Sequence, residues 1–254
     1  MKTIAIMNRK GGTGKTTTAL CLADELRARG LRCLLVDMDQ QHNATGMYGA
    51  EIEGVTTAYD VLTDPSADMA EAVQRTAVGE IIAGDDLMNN IESDMASAVA
   101  REARLVDALA RVDAGIDYCV IDCPPALGVV ALNALVAARW VVVPVGADEY
   151  SLDGLRGLLE LVDLVKSTPR LNPAVELAGA LFTQIDPRQR IARRKLDELR
   201  GMEGMRVFET VVRRCVRVKE SQEARKPLRE LDPGCTAAKD YAAWTDELLR
   251  LIRD

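Results

Sequence analysis

The chain has 254 residues, 48% of them hydrophobic but only 4% aromatic, and a formal net charge of −7 at pH 7. That length supports one large α/β domain with an aliphatic core, and the acidic balance excludes a generally basic nucleic-acid coat. The six cysteines form no CxxC pair and no secreted-type framework, so they read as the reduced thiols of a cytoplasmic protein.

Short β-branched runs alternate with amphipathic segments along the whole chain. Thr3–Met7 predicts a strand that enters a glycine-rich stretch, after which Lys15–Arg29 has helical periodicity and stops at Gly30. Cys33–Asp37 predicts a second strand. Residues 50–97 are the least regular: Val55–Leu62 and Met69–Arg75 read as short helices, and Glu80–Ala83 as a strand entering a polar loop. Then come a helix over Ala98–Asp113, a buried strand at Tyr118–Asp122, a helix over Gly128–Ala138 and an almost uninterrupted apolar strand at Trp140–Val145. Helix Ser151–Val165, strand Val175–Thr183, helix Ile191–Leu199 and strand Arg206–Val211 complete the order. Strands alternating with helices over short loops predict a three-layer α/β fold: a mostly parallel twisted sheet flanked by helices, as a single domain over residues 1–254. The longest apolar stretch, Val129 to Ala147, is broken by Asn133, Arg139 and Pro144, so no membrane span is expected. The N-terminus reads as a strand, with no charged n-region, apolar h-region or cleavage site of the kind expected of a secretory leader.

Three predicted strand ends carry chemistry. Residues 8–17 read Asn-Arg-Lys-Gly-Gly-Thr-Gly-Lys-Thr-Thr. Glycines let backbone N–H groups close around phosphate oxygens, a lysine reaches the terminal phosphates, and a hydroxyl ligates Mg²⁺. Gly11, Gly12, Gly14, Lys15 and Thr16 supply all three in a strand–loop–helix context. Arg9 stands where the first glycine of a strict P-loop belongs, and Lys10 adds a second lysine. The second strand end delivers Asp37 and Asp39 to the edge where open α/β sheets bind ligands. One carboxylate can orient an attacking water and the other can hold the loop or a Mg²⁺-bound water; a solvated turn is the competing reading. The third strand ends in Asp122 and is stopped by Pro124 and Pro125. Beside a phosphate loop such an acid belongs to the Mg²⁺ shell.

Charge is unevenly spread. Arg188 to Arg229 holds 14 lysines and arginines against 6 acids, a localised basic surface for an anionic partner. The competing reading is a solvated helix face, with Arg193, Arg194 and Lys195 offset by Asp197 and Glu198.

These motifs resemble those of a known family. Lys10–Thr17 resembles the deviant Walker A box of the ParA/MinD ATPases, Asp37–Thr45 its DxDPQxNAT segment, and Asp122–Gly128 its DCPPSLG segment. Glu149–Leu155 is similar to its E(Y/F)xxLxGL helix start, while residues 210–217, Lys226-Pro227 and Asp232-Pro233 are similar to its IPRNVR and KPxxxYDP stretches. The likeness spans the chain and is greatest to the short ParA/Soj-type partition ATPases. It implies ATP and Mg²⁺ as cofactors, a homodimer formed on ATP binding, non-specific DNA binding, release on hydrolysis and a ParB-like centromere-binding partner. It further implies a nucleoid-associated cytoplasmic protein that partitions plasmid or chromosomal DNA.

Residue by residue, the resemblance implies that Lys10 reaches across the dimer to the partner's nucleotide. Gly11, Gly12, Thr13, Gly14, Lys15, Thr16 and Thr17 wrap the phosphates, with Lys15 on the β/γ oxygens and Thr16 on Mg²⁺. Asp39 positions the attacking water and Asp122 supports the metal. Arg213 and Cys215 stand where the family has the proline and asparagine that flank adenine. Arg188, Arg190, Arg214 and Arg217 are the arginines available to DNA. Gln40 replaces the family's proline and His42 its glycine; His42 reads as an exposed loop residue. The alternative, a MinD-like membrane-associated positioning ATPase, needs a basic amphipathic C-terminal helix. The actual tail, Trp244–Asp254, is charge-mixed and reads as a helix docked on the domain.

Overall fold

The computed structural model describes residues 1–112, 114–146, 152–186 and 188–253, without the side chains of 152–154. Among the described residues seven strands build one sheet: β1 (Lys2–Ile6), β2 (Cys33–Asp37), β3 (Val73–Arg75), β4 (Glu80–Ile82), β5 (Tyr118–Asp122), β6 (Trp140–Gly146) and β7 (Glu176–Thr183). Their order is β3-β4-β2-β5-β1-β6-β7, parallel throughout except for the antiparallel β3–β4 edge pair.

Side chains alternate across the strands, so each apolar run feeds two cores. Ala5, Leu34, Val36, Ile121, Val141 and Val143 face one layer, where the helices Ala58–Thr63, Arg104–Leu109, Val129–Ala137 and Leu152–Ser167 pack. Ile4, Ile6, Leu35, Val120 and Val142 face the other, under α1 (Lys15–Ala28) and the Thr236–Leu251 helix. The few aromatics concentrate there: Trp244 is fully buried and meets Phe208 edge-on at 5.8 Å. The Tyr241 hydroxyl shares a 3.2 Å hydrogen bond with Thr18 of α1, which ties the last helix to the helix that follows the phosphate loop.

Register places the chemistry. Asp122 at the end of β5 pairs with Asp37 at the end of β2 on one side and with Ile6 at the end of β1 on the other. Both acids therefore emerge beside the start of the glycine-rich loop.

Three elements differ from their sequence expectation, and the start of a fourth cannot be compared. The Met69–Arg75 helix is only Met69–Ala72, after which Val73–Arg75 pairs with β4 through a turn closed by Thr76 N–H on the Gly79 carbonyl, 2.9 Å. The expected Ala98–Asp113 helix contracts to Arg104–Leu109, because the buried Asn133 amide takes the Leu105 N–H at 3.0 Å and donates to the Arg101 carbonyl at 2.7 Å. The expected strand Arg206–Val211 is not a regular strand. It runs beside β7 and exchanges alternate backbone bonds with Ala180 and Phe182. The β6–β7 register skips at Ala178, and Gly179 at φ +151° lets the Arg206 carbonyl approach to 3.1 Å from where a Cβ would stand. The Leu152–Ser167 helix is present, but the expected start at Ser151, with Glu149 and Tyr150 of the same motif, lies outside the described residues. Among the described residues no helix is long and apolar enough to cross a membrane.

Candidate nucleotide site

The loop between β1 and α1 is held from three directions. Asn8, buried, donates its side-chain amide to the Pro144 carbonyl at 2.7 Å and accepts the Lys10 N–H at 3.1 Å. From the end of β7, the Thr183 hydroxyl donates to the Thr13 carbonyl and the Gln184 amide to the Gly12 carbonyl, each at 2.7 Å. Lys15 folds back, its Nζ donating to the Lys10 carbonyl at 3.1 Å. Gly12 and Gly14 take φ +77° and +86°, the left-handed turns that aim successive N–H groups into one concavity. The loop divides by exposure: Arg9, Lys10, Gly11 and Gly12 face outward, while Thr13 and Lys15 are buried and Thr16 and Thr17 half-buried.

The three acids have distinct environments. Asp37 is fully buried, and its carboxylate accepts the Thr45 N–H and hydroxyl, both at 2.8 Å, and the Asp39 N–H at 3.2 Å. Burial still pushes its carboxyl up to about 6, with those hydrogen bonds opposing. The Thr45 hydroxyl accepts the Gly84 N–H at 2.8 Å, so Asp37 anchors the turn after β2, the start of α2 (Asn43–Tyr48) and the end of β4. Asp39 is half-buried and caps its own turn, accepting the Gln41 N–H at 3.0 Å. Of the two acids at and just after the end of β2, Asp39 is thus the less tethered, with one backbone donor against the three donors on Asp37.

Asp122 is the unusual member. It is fully buried, and among the described residues neither carboxylate oxygen has a partner at hydrogen-bonding geometry. Burial first, then the neighbouring Asp37, push its carboxyl well above the ordinary range; the Thr16 hydroxyl and the Lys15 ammonium pull the other way. Ionising a buried carboxyl with so little hydrogen bonding is costly unless something cationic meets it. A divalent cation fits this donor set of carboxylate and hydroxyl oxygens.

His42 is half-buried, with φ +35° in the left-handed region that the glycine it replaces would adopt freely, and its Nε2 lies 3.3 Å from Asp86. Arg213 is committed to the last helix: its guanidinium grips Asp240 at 2.8 and 2.6 Å, and its backbone N–H donates to the same carboxylate at 3.0 Å. Cys215 is half-buried two residues on. The Ile185–Arg213 bridge and the 2.8 Å bond from Arg214 N–H to the Ile185 carbonyl lay residues 213–217 alongside the stretch that leads to Arg188 and Arg190. All of Arg188, Arg190, Arg214 and Arg217 are exposed, and Arg217 also pairs with Glu220 and with Asp232 at 3.3 Å. Asn8, Thr183 and Gln184 were not legible as site residues: a lone amide and a polar strand end carry no spacing signal.

A glycine loop at the first strand's exit, a buried lysine behind it and a buried acid at the end of the neighbouring strand β5 define a P-loop nucleotide-binding protein of the deviant Walker A type. A family model described as AAA domain matches residues 1–177. The chain is 39% identical over 250 residues to the chromosome partitioning protein ParA of Myxococcus xanthus, covering 97% of this chain and 87% of that one. It is 38% identical to the sporulation initiation inhibitor protein Soj of Bacillus subtilis, with 94% and 95% covered. Among solved structures, cobyrinic acid a,c-diamide synthase from Mycobacterium smegmatis with bound ADP and magnesium superposes with a TM-score of 0.87 at 28% identity, covering 100% and 96%. An ATP complex of Cyanothece McdA shares the fold, with a TM-score of 0.86 at 24% identity, covering 98% and 96%. The chain belongs to the ParA/Soj family of partition ATPases.

Proposed function

We propose that this protein binds Mg²⁺ and ATP in the loop, pairs with a second copy, holds DNA non-specifically as a dimer, and lets go on hydrolysis. In this reading it partitions plasmid or chromosomal DNA on the nucleoid, with a ParB-like partner. The observation that carries the nucleotide half is the buried Asp122 carboxyl beside Thr16 and Lys15, whose oxygens meet no partner at hydrogen-bonding geometry among the described residues.

Each residue's task follows from its setting. The left-handed turns at Gly12 and Gly14 shape the concavity for phosphate oxygens, and Lys15 trades its Lys10 carbonyl contact for the β/γ oxygens. Thr16 and Asp122 would hold Mg²⁺, which when bound neutralises charge on the phosphates. Asp39 presents a carboxylate that orients the water, with its rotamer fixed by the Gln41 N–H. Lys10 lies on the outward half of the loop, as a lysine serving the partner's nucleotide must. Arg188, Arg190, Arg214 and Arg217 form an exposed basic edge suited to sequence-independent phosphate contacts. Arg213 and Cys215 flank the base through backbone and sulfur, since the Arg213 side chain is spent on Asp240.

The test is Lys15→Ala. Fluorescent ATP binding should be lost, and with it ATP-dependent dimerisation in size-exclusion chromatography and ATP-dependent retention on duplex DNA. Nucleotide binding that survives the substitution would remove the loop from the site. Intact nucleotide binding by the wild type without dimerisation or DNA retention would reject the partition switch while keeping the nucleotide site.

A further inference from the structure

Gln184, the residue after β7, takes φ +56°, the left-handed region that glycine adopts freely and glutamine does not. The residue is exposed, so packing does not force the conformation. Its side chain instead reaches back over the glycine loop. The amide donates to the Gly12 carbonyl at 2.7 Å, and its nitrogen lies 3.5 Å from where a Cβ on Gly14 would stand. Gly12 and Gly14 are the two left-handed turns of that loop.

On the far side of Gln184 the backbone belongs to another segment. Ile185 is buried; its N–H donates to the Val212 carbonyl at 3.2 Å, and its carbonyl accepts the Arg214 N–H at 2.8 Å. One side chain therefore grips the phosphate loop while the turn it sits on sets the register of residues 212–214. Beyond that register lie the exposed Arg188 and Arg190 on one stretch and Arg214 and Arg217 on the other. A strained residue persists only where its surroundings over-determine it, and such residues cluster at ligand clamps and switch regions.

We propose that Gln184 is a positioning residue that couples the glycine loop to the arginine edge. The amide holds the left-handed turn only while the loop keeps the Gly12 carbonyl in its present place. Without that bond residue 184 relaxes toward extended backbone, Ile185 turns with it, and its bonds to Val212 and Arg214 weaken. A nucleotide that orders the loop thus orders the edge. By linkage, an anion held on the edge strengthens nucleotide binding by the same factor. The inference rests on the nucleotide and DNA sites proposed above and supplies the residue that connects them.

The test is hydrogen exchange of the full chain, with and without magnesium and a non-hydrolysable ATP analogue, read by mass spectrometry on peptides covering residues 184–190 and 210–217. Each protein is measured at nucleotide concentrations that saturate it, so a loop that merely binds more weakly is brought to equal occupancy. In the wild type, nucleotide should slow exchange in both peptides. Gln184→Met keeps the length and loses the donor; it should lose that slowing, and its affinity for duplex DNA at saturating nucleotide should fall roughly fivefold or more. Gln184→Lys, whose ammonium can donate to the same carbonyl, should restore both. Slowing that persists in Gln184→Met, or no recovery in Gln184→Lys, would overturn the proposal. A Gln184→Met protein that takes no nucleotide at any concentration would overturn it too, by making Gln184 part of the loop alone. A wild type that binds nucleotide with neither peptide changed would reject the coupling and leave the nucleotide site standing, whereas a wild type that binds none would reject both.

Discussion

The ligand-free protein should lose stability as the solution becomes more alkaline, because Asp37 and Asp122 are neighbours across β2 and β5 and both are fully buried. Burial raises both carboxyls, so the folded chain holds these protons more tightly than the unfolded chain does. Stability from such a group is complete below the unfolded value and is lost as pH climbs through the folded one. For Asp37 the window runs from 3.8 to about 6. At about 1.4 kcal/mol per unit, roughly two units make the whole fall about 3 kcal/mol, of which about 1.4 kcal/mol lies between pH 5 and pH 8, where exposed carboxylates are already ionised. Asp122 shifts in the same direction and deepens the fall. Urea unfolding with EDTA at the two pH values, followed by tryptophan fluorescence, measures it. Asp122→Asn removes one of the two like charges, so it should flatten the profile and leave the ligand-free protein more stable than wild type at pH 8. Magnesium and ATP together should then stabilise the wild type and not the variant. A wild type at least as stable at pH 8 as at pH 5, or an Asp122→Asn protein weaker than wild type at pH 8, would refute the argument.

Asp39→Ala should keep ATP binding and dimerisation while phosphate release slows by roughly two orders of magnitude or more; normal turnover in a phosphate assay would remove Asp39 from the chemistry. Replacing Arg214 and Arg217 together by Ala should weaken ATP-dependent binding to any duplex and lower the log–log salt slope by about 2, near 0.9 per lost phosphate contact. An unchanged slope would put the DNA edge elsewhere. Gly84→Ala drives a Cβ to 2.9 Å from the Asp37 carbonyl oxygen, with the Asp37 carboxyl carbon at 3.3 Å. A cost of about 1–3 kcal/mol is expected, read as a lower melting temperature together with slower hydrolysis, and a variant that melts like wild type would show that the β4 end yields freely.

Much of the site was written in strand ends. β2 and β5 have the boundaries that their apolar runs predict, because an uninterrupted buried run that closes on an acid has little freedom in where it stops. The glycine loop and its lysines were equally plain, since phosphate binding demands specific residue types at fixed spacing. Less was visible where a distant residue decides. The β3 edge strand needs β4 to pair with, and the Arg104–Leu109 helix begins where Asn133 of another helix takes its N–H. Arg206–Val211 has a strand's pattern but meets a bulged neighbour.

The sequence by itself determined that this is a parallel α/β protein with a deviant phosphate loop and three strand-end acids. Only the tertiary structure decided how each acid is satisfied. Asp37 and Asp122 are the same residue type at paired positions, yet Thr45 and the Asp39 backbone satisfy one, while among the described residues the other has no partner at hydrogen-bonding geometry. Likewise Arg213 is spent on Asp240, 27 residues further along the chain. Hydrogen-bond satisfaction depends on groups that folding brings from remote positions, and no local pattern encodes it.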